Sequence, residues 1–157
     1  MRLTFSGLPT TTTRDIKASG SDTYDLPIET HTSDGSASPC RHCFGATPKG
    51  EPYLILAHRP FETVNAYTET GPIFLCAADC PAYDAGAVLP DALNSPTYLV
   101  RGYSADERIK YGTGSVVNRD SILERAGEIL TNDAIAFVDV RSAMNNCWQG
   151  RITRAVD

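Results

Sequence analysis

A chain of 157 residues, 41% hydrophobic and 21% charged, has the balance of an ordinary folded domain, which excludes wholesale disorder and a membrane-embedded chain. At this length one continuous core suffices, so residues 1–157 read as a single domain. The formal charge of −5 argues against a nucleic-acid partner, because phosphates demand clustered basic residues.

The opening Met1-Arg2-Leu3-Thr4-Phe5-Ser6-Gly7-Leu8-Pro9 lacks the apolar run of a signal peptide, and no later segment approaches the roughly 18 apolar residues that span a bilayer. A cytoplasmic protein with no membrane partner is expected. Leu3 and Phe5 alternate within a first short strand, which Gly7-Leu8-Pro9 ends. Residues 9–38 are rich in Ser, Thr, Asp and Gly and predict a loop-rich arm, anchored at most by Tyr24, Leu26 and Ile28.

Tyr53-Leu54-Ile55-Leu56-Ala57 is apolar on both alternating faces, which predicts a central strand buried on both sides. Ile73-Phe74-Leu75-Cys76-Ala77, entered through Pro72, is of the same kind, with Cys76 inside it and Cys80 just past its end. Pro81 to Pro96 forms an irregular connection. Thr97 to Tyr103 and Arg108 to Tyr111 then predict a β-hairpin around a four-residue loop, Ser104 to Glu107. Asn118 is a good helix cap, and Ile122, Leu123, Ala126, Ile129 and Leu130 recur at helical spacing up to about Asn132. Ala134 to Val140 and Cys147 to Thr153 complete the strands. The expected class is α+β: a mostly antiparallel sheet with one main amphipathic helix packed on it and a long irregular N-terminal arm.

Chemistry is densest at Pro39-Cys40-Arg41-His42-Cys43-Phe44. Five cysteines without an export signal are expected to be free thiols. Cys40-x2-Cys43 is one half of a tetrahedral zinc site, and Cys76-x3-Cys80 is an imperfect second half, since its first member sits in a strand instead of a turn. His42 and Arg41 would favour a thiolate and so a redox dithiol, but the surrounding loop is not the helix N-terminus where such pairs usually sit. Arg101, and Asp139 with Arg141 on the face of Ile135 and Phe137, are charges on strands. They bind an anion or pair internally, Arg141 with Asp139 or Glu51. Gly112-Thr113-Gly114 reads as a bend, His31 as solvated, and His58 as within reach of the Cys40 loop.

Taken together, Pro39-Cys40-Arg41, Gly50-Glu51 before a hydrophobic strand, Gly71-Pro72-Ile73-Phe74-Leu75, Arg101-Gly102-Tyr103, Tyr111-Gly112-Thr113-Gly114, Val140-Arg141-Ser142-Ala143 and Asn145-Asn146-Cys147 resemble the family called domain of unknown function 1203. The resemblance runs from Phe5 to Arg154 and implies a small single-domain bacterial protein, with no established activity, cofactor or partner. Members often carry serine where this chain has Cys43 and histidine where it has Cys76, which speaks against a four-cysteine site throughout the family and leaves a metal possible here.

Three functional readings follow. The leading one is a non-catalytic ligand- or partner-binding domain whose polar pocket joins the Cys40 loop to the Arg101 and Arg141 strands, with Arg41, Arg101, Arg141, Asn145 and Asn146 as ligand contacts. The second is a thiol-dependent enzyme or redox protein using Cys40 or Cys147, with His42 as base. The third is a structural zinc site at Cys40, Cys43, Cys76 and Cys80.

Overall fold

Alternation along a strand sends odd and even residues to opposite faces, so a sheet with apolar residues at both sets must be covered twice. The computed structural model describes residues 1–36 and 39–156 and contains such a sheet. Five strands, β1 (Leu3–Ser6), β5 (Thr97–Tyr103), β6 (Ser115–Asn118), β7 (Phe137–Ser142) and β8 (Trp148–Arg154), pair antiparallel in the order β1-β8-β7-β5-β6. Three more, β2 (Glu29–Thr32), β3 (Pro52–His58) and β4 (Gly71–Cys76), form a second antiparallel sheet in chain order. The α+β class with mostly antiparallel strands is therefore as expected.

Each face of the larger sheet has its own cover. On one face Tyr98, Val100, Val138, Val140 and Ile152 pack in one cluster with Ile122, Ala126, Ile129 and Leu130 of helix α2 (Ile122–Leu130). On the other, Trp148 of β8 joins Leu56 of β3 and Ile73 and Leu75 of β4, while Phe137 and Tyr103 stack with ring centroids 5.1 Å apart beneath Phe61. Gly102 allows α2 to approach β5: a Cβ there would lie 2.8 Å from Ile129 Cγ2 and 3.2 Å from Ile135 Cγ2.

Residues 9–38, expected to be a loop-rich arm, instead contain in their described part a helix, α1 (Thr10–Ser19), and the strand β2; Ala37 and Ser38 lie outside the described residues. Four threonines are poor helix formers and only Ile16 adds a large apolar side chain, so propensity and periodicity gave no sign. Tertiary anchoring decides instead. Thr13 is buried, Ile16 packs on the Leu8 and Cys40 cluster, and Gly20 at φ 67° ends the helix by donating its N–H to Ile16 O. β2 is exposed throughout and is held by its ladder to β3.

Other boundaries moved for local reasons. β3 is central in its sheet as predicted, but Leu56 is its one fully buried residue, so it has one covered face and not two. The turn at Ser104 forms, with Ser104 N–H donated to Arg108 O at 3.0 Å and a bridge from Tyr103 to Ile109. The ladder partner of β5, however, is β6. Gly112, at φ 87°, turns the chain, and Thr113 Oγ1 takes the Gly102 N–H at 2.9 Å where a strand partner would have been. Asn118 consequently ends β6 and precedes a 3-10 turn, Arg119–Ser121, before α2 begins. No helix among the described residues is long and apolar enough to cross a membrane.

Because Gly102 faces Ile129, Ile135 and Thr113 at once, Gly102→Ala should overpack this contact and lower stability by about 1–3 kcal/mol. Urea unfolding of the variant beside the wild type measures the shift.

Candidate metal centre and the neighbouring polar clusters

A metal site needs its donors fixed before the ion arrives, and the backbone around Cys40 does this. Phe44 N–H is donated to Cys40 O at 2.8 Å and Cys40 N–H to Gly45 O at 3.1 Å, closing a tight loop with Phe44 at φ 56°. Arg41 N–H is donated to Phe74 O of β4 at 2.9 Å, Leu8 N–H to Arg41 O at 2.8 Å, and Tyr83 N–H to His42 O at 2.8 Å. A side chain at Gly7 would put its Cβ 2.4 Å from Arg41 O, so glycine there keeps the loop seated. Cys76 closes β4, and the turn after it returns Cys80 to the same place.

The result is four Sγ atoms, of Cys40, Cys43, Cys76 and Cys80, all within 4.8 Å of one another. Cys40 Sγ is 3.9 Å from Cys80 Sγ, and Cys43 Sγ is 3.7 Å from Cys76 Sγ. A tetrahedral zinc with bonds of about 2.3 Å requires sulfurs about 3.8 Å apart. All five cysteines are free thiols, as expected. The imperfect setting of Cys76 in a strand is overcome because it is the strand's last residue.

Hydrogen bonds complete the fit. His42 N–H points at Cys40 Sγ (3.4 Å) and Gly45 N–H at Cys43 Sγ (3.3 Å), the arrangement that supports thiolate charge. His42 Nδ1 lies 3.2 Å from Cys80 Sγ and its Nε2 lies 2.9 Å from Thr10 Oγ1, at the start of α1. Were Cys80 a metal-bound thiolate, Nδ1–H would donate to its sulfur and Thr10 Oγ1 to Nε2, which would fix the tautomer. Burial, followed by the charges of Lys17 and Arg14, holds the imidazole pKa below its ordinary value. Burial also works to raise the Cys40 thiol, but N–H bonds from the backbone outweigh it and the pKa falls. Burial and the neighbouring thiolates push Cys76 well above the thiol range and Cys80 up to about 12. A soft divalent cation is the charge that would relieve this crowding.

The other sequence candidates divide between two places. Arg101 and Arg141 both reach Glu69: the Arg101 guanidinium bonds one carboxylate oxygen, while Arg141 Nη2 lies 3.1 Å from the other, out of line for a hydrogen bond. Tyr103 Oη donates to Glu69 at 2.5 Å. Asp139, fully buried, takes Arg151 Nε at 2.7 Å and Nη2 at 3.1 Å, with Arg141 3.9 Å away. Asn146 contributes its carbonyl to Arg141 Nη1 at 3.1 Å. Arg101, Arg141 and Asn146 thus belong to an internal ion-pair layer, in which Glu69 and not Glu51 is the second acid. Glu69 gave no sequence signal, since it sits in an irregular link, 62–70. That link is pinned where Glu107 accepts the N–H groups of Glu62 and Thr63.

Arg41, Asn145 and Cys147 instead line a separate cleft of about 530 Å³ with Tyr98 and Ser142. Arg41 is 5% exposed, and burial lowers its pKa to about 10. Cys147 Sγ lies 3.6 Å from Asn145 O, outside the four-thiol group that contains Cys40 and adjoins His42. His58 packs against Trp148, with ring centroids 6.2 Å apart, and not in the Cys40 loop; His31 is exposed beside Glu29.

A family model described as Protein of unknown function (DUF1203) matches residues 37–154. No curated protein and no solved structure matches the chain.

Burial raises the Glu69 pKa, but the Tyr103 hydrogen bond and the charges of Arg141 and Arg101 lower it further, leaving it depressed from 4.5. A depressed carboxyl contributes stability above its unfolded pKa and loses it as the pH falls through the folded value. Glu69→Gln should therefore unfold at lower temperature than wild type at neutral pH. The gap between the two should narrow steadily below about pH 4.5 in thermal melts taken across the acid range.

Proposed function

The chain belongs to the DUF1203 family, whose description names no activity, and we propose from its own residues that it is a zinc-tetrathiolate domain in which the metal is structural. The observation that carries this reading is the approach of all four cysteine sulfurs to within 4.8 Å. Sulfur ligands and a tetrahedral spacing favour zinc over the hard cations, which prefer oxygen. Four protein ligands would fill the coordination shell, leaving no open position for water or substrate, so the role is to staple and not to catalyse.

The staple joins two stretches far apart in the chain. Cys40 and Cys43 come from the loop seated under β1, and Cys76 and Cys80 from the end of β4. Binding to the folded form alone would add its free energy to folding, about 3–4 kcal/mol at a metal concentration several hundred times the dissociation constant.

Protein purified without chelator should contain one zinc per chain by plasma mass spectrometry, released stoichiometrically when the thiols are capped with a mercurial. Cys76→Ser and Cys80→Ser should each lose the metal and lower the unfolding midpoint. Less than a tenth of an equivalent, together with no uptake of added zinc by the reduced protein, would end the reading.

A further inference from the structure

Arg41 sits between two of the proposed metal ligands, yet its side chain turns from the metal to the cleft beside it. The residue is 5% exposed, and among the described residues its guanidinium has no hydrogen bond and no carboxylate partner; Nη1 is fully buried and unpaired. The Phe44 ring lies 5.9 Å from its Cζ. Arg101, Arg141 and Arg151 in the same small domain all have acidic partners, so pairing is available here and Arg41 lacks it. A buried guanidinium left unpaired is costly unless a ligand supplies the anion.

The walls of the cleft define that ligand. Its lining includes no Asp or Glu, although the chain as a whole is acidic, and Arg41 is its single charged residue. Tyr98 Oη accepts the Ser95 N–H at 2.9 Å, and its own proton has no acceptor among the described residues, so a second donor is free. Pro72, Phe74 and Ala92 supply apolar surface. The volume, about 530 Å³, is within the range of small-molecule sites.

We propose that this cleft binds a small organic monoanion, a carboxylate carried on a flat apolar body, with the Arg41 guanidinium as its counter-ion and the Tyr98 hydroxyl as a second donor. A planar guanidinium matches a carboxylate through two parallel hydrogen bonds, whereas one cation among neutral amides and hydroxyls is too little for a phosphate dianion. The proposal deepens the binding role of the Cys40 loop, and it rests on the zinc reading only for the rigidity of the backbone that presents Arg41.

Sodium benzoate is the probe, titrated calorimetrically into zinc-loaded protein, with benzamide and inorganic phosphate as controls. Benzoate should saturate with a dissociation constant on the order of 1 mM or tighter. Benzamide and phosphate should each bind at least about tenfold more weakly, and Arg41→Gln should weaken benzoate by about tenfold or more. The variant should melt no lower than wild type, because an unpaired buried charge has been removed. Should Arg41→Gln fail to fold, Tyr98→Phe keeps the ring, deletes the donor and should weaken benzoate by several-fold. Benzoate should also slow alkylation of Cys147, which lines the cleft outside the metal cluster. The proposal falls if zinc-loaded wild type does not bind benzoate, if benzamide or phosphate binds as well, or if the folded Arg41→Gln variant binds unchanged. Should the protein contain and take up no zinc while benzoate still binds, the metal reading falls and the cleft assignment stands.

Discussion

The backbone of a single residue, Arg41, joins the two sheets of this protein. Its N–H is donated to Phe74 of the smaller sheet, and its carbonyl accepts the N–H of Leu8, just beyond the first strand of the larger one. Two hydrogen bonds of this kind are modest individually, each on the order of 1 kcal/mol net. Their importance is geometric. They fix the loop so that Cys40 on one side faces Cys80, while the Arg41 side chain faces the cleft.

Charge is treated differently on the two sides of that loop. Between the sheets, Asp139, Glu69 and three arginines pair closely across strands in register, Arg101 opposite Asp139 and Asp139 opposite Arg151. Such a layer adds little net stability over an apolar one, but it penalises any slip in register, because a shift by one residue would leave each ion buried without its partner. At the thiol cluster four sulfurs crowd together with no cation among them, and backbone N–H groups and His42 Nδ1 face those sulfurs. Of these three places, as far as the described residues show, the cleft alone holds a buried positive charge with no acidic partner.

Much of this was legible in the residues, and what was hidden had physical causes. Leu54 to Leu56, Ile73 to Leu75 and the residues around Val138 were readable because apolar runs bounded by Gly and Pro, or by Asn and Asp, leave few alternatives. Helix α1 was hidden because its stability comes from docking and a glycine stop, with almost no apolar stripe to read. The two cysteine pairs were visible as spacings, but their convergence depended on the β3–β4 hairpin placing Cys76 at a strand end, and spacing alone does not contain that registration. Glu69 was invisible because an acid in an irregular link becomes the partner of Arg101 and Arg141 only through the path of the chain around Glu107.

The arginines expected to share one ligand site therefore separate by a simple criterion, the presence of a carboxylate within reach. Arg101 and Arg141 share Glu69, and removing that acid would leave Arg101 without its carboxylate and Arg141 with only the more distant Asp139. Arg41 has no such acid, and its neighbours in the cleft are hydroxyls, amides and a thiol. Folding alone gives no reason to bury a guanidinium in that setting, since an apolar residue would fill the space without the desolvation cost. A position that lowers the stability of the empty protein while matching a planar anion is what a binding site requires, and its place between two metal-ligand candidates gives the loop one rigid frame for both tasks.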